Sequence, residues 1–98
     1  MVNSLLEYLI LNYLEMGDLC GYEIITFLHD RFHVLLSPGQ VYPVIDQMAA
    51  NGLISKDHAG RRVLLQISPQ GEELLNAWRS EFHAIQRELD NLIVEQTS

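Results

Sequence analysis

Ser37-Pro38-Gly39-Gln40-Val41-Tyr42-Pro43-Val44-Ile45-Asp46-Gln47-Met48-Ala49-Ala50-Asn51-Gly52 is the stretch on which the fold turns. Ser37 places a capping hydroxyl directly before a proline suited to the first helical position, and Asn51-Gly52 supplies the stop. Between these signals Val41, Val44, Ile45 and Met48 fall on one arc. That leaves Gly39, Pro43, Asp46, Gln47 and Ala50 outward, with Gln40 and Tyr42 on the flanks. Pro43 lacks the amide that would bond back to Gly39, so a distorted or kinked first turn is expected.

On the N-terminal side, a second helix is expected from near Gly21, carrying Ile24, Ile25, Phe27, Leu28 and Phe32 inward and fading at His33. Before it, Ser4-x-x-Glu7 has the form of a capping box and opens a first helix from Leu5 to about Met16, which Gly17-Asp18 ends. Its residues Leu6, Leu9, Ile10, Tyr13 and Leu14 recur at helical spacing, while Leu5, Tyr8 and Leu11 widen the apolar surface beyond one contact. On the C-terminal side, residues 53–56 and 62–67 read as two short strands around Asp57-His58-Ala59-Gly60-Arg61, a hairpin with a flexible basic tip. Ser68-Pro69 repeats the cap-plus-proline signal and opens a fourth helix lasting to about Val94. At 1.5 Å per residue it would be roughly 40 Å long, too long to be covered by so small a domain.

The whole chain is 98 residues with 48% hydrophobic content, which fits one compact unit that gains buried area by pairing. The lone Cys20 fits a reducing cytoplasm and reads as a small buried hydrophobe. The apolar run from Leu5 to Met16 is interrupted by Glu7, Asn12 and Glu15 and is too short for a bilayer, so no membrane association is expected. A net charge of −7 argues at first against nucleic acid, because phosphate binding normally leaves a basic footprint. The distribution softens this: residues 20–68 are neutral, and residues 1–19 and 69–98 carry the excess, −3 and −4.

The order helix, helix, helix, hairpin, long helix predicts a mainly α fold. It is a winged helix-turn-helix with a two-stranded β wing and a long C-terminal dimerisation helix. Residues 1–68 would form the DNA-binding part and residues 69–98 the dimerisation helix of the same unit. The sequence resembles the PadR family of winged-helix regulators. The matching pieces are Gly21-Tyr22-Glu23-Ile24, Ser37 through Pro43, Asn51-Gly52-Leu53-Ile54 and Ser68-Pro69-Gln70-Gly71, in order at the family's spacing and spanning most of residues 5–75. The resemblance implies a dimeric repressor that binds double-stranded DNA, with the C-terminal helix as dimer element and, in many members, a small-molecule effector near the dimer interface.

Carried over residue by residue, the resemblance implies DNA contacts by Ser37, Gln40 and Tyr42 at the third helix and by Arg61 and Arg62 at the wing. Chemistry agrees: a glutamine pairs bidentately with adenine, a hydroxyl at a helix start reaches a phosphate, and wing cations suit the backbone. Gln47, on the outward face, and Lys56, at the wing, complete the set. Tyr42 has a second reading, its ring packed on the second helix. If Lys56, Arg61 and Arg62 all reach phosphates in both protomers, log affinity should fall against log salt with a slope near −5, on the order of 0.9 per contact. Departures from the family pattern are a third helix without Lys or Arg, Asp46 facing outward, and Val63-Leu64-Leu65-Gln66 in place of a basic, tyrosine-rich run. They favour a second reading, a protein-interaction module that keeps the winged-helix fold without strong DNA binding.

In the fourth helix Leu75, Trp78, Phe82, Ile85, Leu89 and Leu92 are spaced 3, 4, 3, 4, 3, the alternation of a paired-helix seam. Glu81, Glu88 and Glu95 line one side without matching cations, so packing against the first and fourth helices of a partner suits it better than an isolated zipper. Trp78 reads as core or as the ring that stacks an aromatic effector in the dimer. His29 and His33 share a helix face but lack a third metal ligand nearby in sequence, so they read as solvated. No nucleophile–base pair, phosphate-cradling loop or paired-carboxylate motif stands out, so neither enzymatic activity nor a cofactor is expected.

Overall fold

The computed structural model describes residues 2–33 and 36–97, with the side chains of 5–33 and 36–95. Among these the order is α1 (Val2–Glu15), β1 (Leu19–Cys20), α2 (Gly21–Phe32), α3 (Pro38–Ala50), β2 (Ile54–Ala59), β3 (Arg62–Ile67) and α4 (Pro69–Thr97). The chain is the mainly α winged helix-turn-helix that the punctuation predicts. Along α3, Val41, Val44, Ile45 and Met48 are buried, and the outward residues from Gly39 to Ala50 are exposed as the helical arc requires. Helix α3 is continuous through Pro43.

The four sequence motifs hold the fold together two against two. Gly21 is buried at the start of α2, and the ring of Tyr42 lies so close that a Cβ there would meet Cε1 at 2.5 Å. The second pair joins the end of α3 to the start of α4: the Ser68 amide donates to the Leu53 carbonyl at 3.0 Å, and the Ser68 hydroxyl donates to the Gly52 carbonyl. The Gly71 amide closes the cap on Ser68 Oγ at 3.0 Å, and a Cβ on Gly71 would collide with the Leu53 carbonyl. Gly52 turns the chain at φ 77°, a conformation that disfavours any side chain.

Several expectations are corrected. The sheet has three antiparallel strands in the order β1-β3-β2, because Leu19 and Cys20 pair with Leu65 and Leu64 beside the wing. The arms of the wing pair out to Ala59 and Arg62, so the tip is the two-residue turn Gly60-Arg61 rather than a five-residue loop. Gly60 has φ 66° and Arg61 a negative φ, the φ pattern of a II′ hairpin turn that matches strand twist. Helix α1 begins at Val2, so Ser4 lies within it, and its backbone is helical where a cap would need it extended. Phe27 and Phe32 are exposed, because the apolar arc of α2 is wider than the face that Ile24 and Leu28 bury. Phe27 lies at its edge, its ring 5.7 Å from that of Tyr13. Cys20 is half-buried at the head of α2 rather than in the core.

Helix α4 has 29 residues and so runs about 43 Å, giving the molecule a longest extent of 59 Å. Its first turns belong to the domain. Leu75 is fully buried in the core, which removes it from the expected dimer seam, and Trp78 packs edge-on to Tyr8 with ring centroids 6.1 Å apart. Arg79 fixes the crossing with α1 by bonding Glu15 Oε1 at 2.8 Å and Asn12 Oδ1 at 2.7 Å. Beyond that clamp every residue from Glu81 to Glu95 is exposed.

Candidate nucleic-acid interface

The outward face of α3 is built from its own cap. The Ser37 amide donates to Gln40 Oε1 at 2.9 Å and its hydroxyl to the same oxygen at 3.3 Å. The carbonyl of Gln40 is therefore occupied by the cap, and only its amide nitrogen is left to present outward. A bidentate adenine contact needs both ends, so this geometry leaves Gln40 as a single donor. Gln47 is exposed on the same face. The two readings of Tyr42 coexist: its ring packs on Gly21, and the residue is still 41% exposed.

The wing is gripped from both faces. Side chains alternate along a strand, and the register puts Lys56 on the face of Leu65, Ile54 and Ile67, and Arg62 on the face of Leu64 and Gln66. From the first face Lys56 pairs with Asp46 of α3. From the second, Arg62 reaches Glu23 of α2 at 2.7 Å and lies 3.8 Å from Cys20 Sγ. Gln66, also on that face, donates to Asp18 at 2.8 Å. Glu23 accepts from the Cys20 amide at 3.1 Å as well. That bond, more than Arg62, holds its carboxyl below the ordinary 4.5. Of the three wing cations, Arg61 at the tip is the one outside any ion pair among the described residues.

The sequence reading missed these partners, and it also missed His58. Strand alternation puts His58 on the Lys56 face, one step nearer the tip and opposite Val63, and the period-2 rule applied from Lys56 would have found it. Asp46 is not simply an acid facing DNA, since Lys56 offsets it within the site.

On α4, Phe82, Ile85, Leu89 and Leu92 are 46%, 54%, 49% and 50% exposed, and the ring of Phe82 meets Tyr8 of α1 at 4.7 Å. Four of the six expected seam residues thus form an open apolar stripe continuous with α1. Trp78 is half-buried at its head. An apolar cleft of about 210 Å³ opens elsewhere, bounded by Tyr13, Met16, Gly17, Leu19 and Phe27. Among the described residues, no cluster of His, Cys, Asp and Glu could hold a metal, and no helix is long and apolar enough to cross a membrane.

Residues 10–77 match the model of the transcriptional regulator PadR-like family. No curated relative matches the sequence. Among solved structures, a PadR-like transcriptional regulator from Bacillus cereus is 26% identical over 95% of this chain and 95% of its own, with a TM-score of 0.83. A PadR family regulator from Clostridium difficile is 22% identical, covering 90% of this chain and 97% of that one, with a TM-score of 0.82. Bacillus subtilis PadR, solved in complex with operator DNA, is 23% identical over 76% of this chain and 46% of its own, with a TM-score of 0.68.

Proposed function

Because this chain belongs to the PadR-like family of transcriptional regulators, we propose that it binds double-stranded DNA as a homodimer, laying the outward face of α3 in the major groove. The observation that carries the reading is the solvent-open face of α3 standing beside a wing joined to α3 and α2 by ion pairs. In the Bacillus subtilis relative the same fold is bound to operator DNA. Gln47 and the free amide of Gln40 read base edges, Ser37 and the exposed edge of Tyr42 meet the backbone, and Arg61 supplies the wing's phosphate contact. Two such helices on one face of DNA call for a near-palindromic operator with half-sites about one helical turn, or a multiple, apart.

Pairing uses Phe82, Ile85, Leu89 and Leu92 with α1, and residues 69–98 serve as the dimerisation helix of a unit whose residues 1–68 bind DNA. An aromatic effector enclosed by the dimer would stack on Trp78, and the output is repression. The protein works in the cytoplasm, where a single thiol suits the redox state, and the reading assigns it no catalysis.

The test is a gel shift with DNA upstream of the protein's own gene against a mixed-sequence duplex. Specific retardation is expected, and Gln47→Ala should lower discrimination at one base pair per half-site by ~1–3 kcal/mol. If no duplex is retarded even at low salt, DNA binding is wrong. The protein-interaction reading, favoured by Asp46 and the acidic flanks, then takes its place.

A further inference from the structure

The recognition face holds a cation that is already engaged. Asp46 stands on the outward arc of α3 beside Gln47, and its carboxylate takes Lys56 from β2. The two residues are ten apart in sequence and lie on separate elements, so the pair joins helix to wing directly. Lys56 remains one-third exposed and would face a docked duplex if released.

We propose that Asp46 is a positioning residue for DNA recognition: by holding Lys56 against α3, it withholds a phosphate contact and keeps sequence-independent affinity low, leaving recognition to the base-reading face. This rests on the DNA-binding reading above. Each lysine on a phosphate releases about one counterion and steepens the salt dependence by about 0.9, whatever the sequence. A domain with neutral middle charge and one unpaired wing cation per protomer therefore has a shallow background. Freeing Lys56 in both protomers would about double it, which blurs the difference between operator and other DNA.

The experiment measures binding of the full chain to a mixed-sequence duplex and to its own upstream DNA across a fourfold rise in salt. Wild type should weaken about 12-fold and Asp46→Asn about 150-fold, the slope steepening by about 2. Lys56→Gln should keep the wild-type slope, and Asp46→Asn combined with Lys56→Gln should return to it. Asp57→Asn makes the same change in net charge on the opposite strand face, where Asp57 pairs across from Leu64, and should also keep the wild-type slope. A structural role alone would change melting temperature but not slope. An unchanged slope in Asp46→Asn, or a shallower slope in Lys56→Gln, overturns this proposal while leaving DNA binding intact. Failure of wild type and Asp46→Asn to bind either duplex overturns the DNA reading and this proposal with it.

Discussion

Glycines 21 and 71 show how much single atoms decide here, because each gives up its side chain to a different kind of neighbour. Beside Gly21 stands the ring of Tyr42, a half-exposed side chain that can swing away. Beside Gly71 stands the Leu53 carbonyl, which already accepts the Ser68 amide. Alanine normally favours a helix by about 1 kcal/mol over glycine, yet both replacements should destabilise. Gly21→Ala should cost about 1 kcal/mol and be largely rescued by Tyr42→Ala, whereas Gly71→Ala should cost about 2–3 kcal/mol with no single-residue rescue. Urea unfolding of Gly21→Ala, Tyr42→Ala, the two combined, and Gly71→Ala measures both. Glu23 adds a pH dependence at the same scale. Its carboxyl titrates below the ordinary 4.5, first through the Cys20 amide and then through Arg62. A group depressed in the folded state contributes stability that is fully present above its unfolded value and lost as pH falls through the folded one. The stability gap between wild type and Glu23→Gln should therefore be constant above about pH 5.5 and shrink steadily below pH 4.5, as chemical denaturation at each pH will register.

At the scale of elements, the wing separates what local sequence carries from what only packing decides. The arms of the wing were readable in outline from residues 53–67, although its turn was expected three residues too long, and α3 was readable in detail because cap, arc and stop lie within sixteen residues. Strand β1 was not, since two residues have no period and Leu19 and Cys20 become a strand only by meeting Leu65 and Leu64. The partners of Lys56 and Arg62 were hidden for the same reason: Arg62 meets Glu23 across 39 residues, a distance over which no spacing rule operates. This changes the electrostatics expected of the wing. With Lys56 and Arg62 held by carboxylates, the salt slope of DNA binding should lie near −2, from Arg61 in each protomer, rather than near −5. Arg61→Ala should remove most of that dependence. Arg62→Ala should leave it nearly unchanged and act instead on the docking of β3 to α2, and only weakly, because solvent screens an exposed ion pair. Fluorescence anisotropy over a salt series distinguishes the two; equal slopes lost in both variants would place Arg62 on phosphate despite Glu23.

For the whole molecule, the decisive fact is that the core closes before α4 does. Leu75 is buried, Arg79 clamps α1, and the half of α4 beyond Glu81 lies open to solvent with a stripe of large apolar side chains. A helix segment of that length is marginal in water on its own, so in the homodimer proposed above a second copy would supply the contacts that order it. Separate damage to the two halves should therefore have separate outcomes. Leu75→Glu forces a charge into the domain core and should abolish folding. Ile85→Glu should leave the winged domain folded but monomeric, with part of α4 lost from the circular dichroism signal and half-site cooperation on DNA gone. Salt should then act in opposite senses on the two functions. Residues 69–98 carry −4, so bringing two copies together opposes like charges that salt screens within about 10 Å at 0.1 M, while the same salt weakens phosphate contacts. Sedimentation of wild type should show dimers that tighten as salt rises over the range in which DNA affinity falls. A dimer that loosens with salt would mean that cross-protomer ion pairs, rather than the apolar stripe of Phe82, Ile85, Leu89 and Leu92, hold the two copies together. An Ile85→Glu protein that remains dimeric would move the interface off α4 altogether.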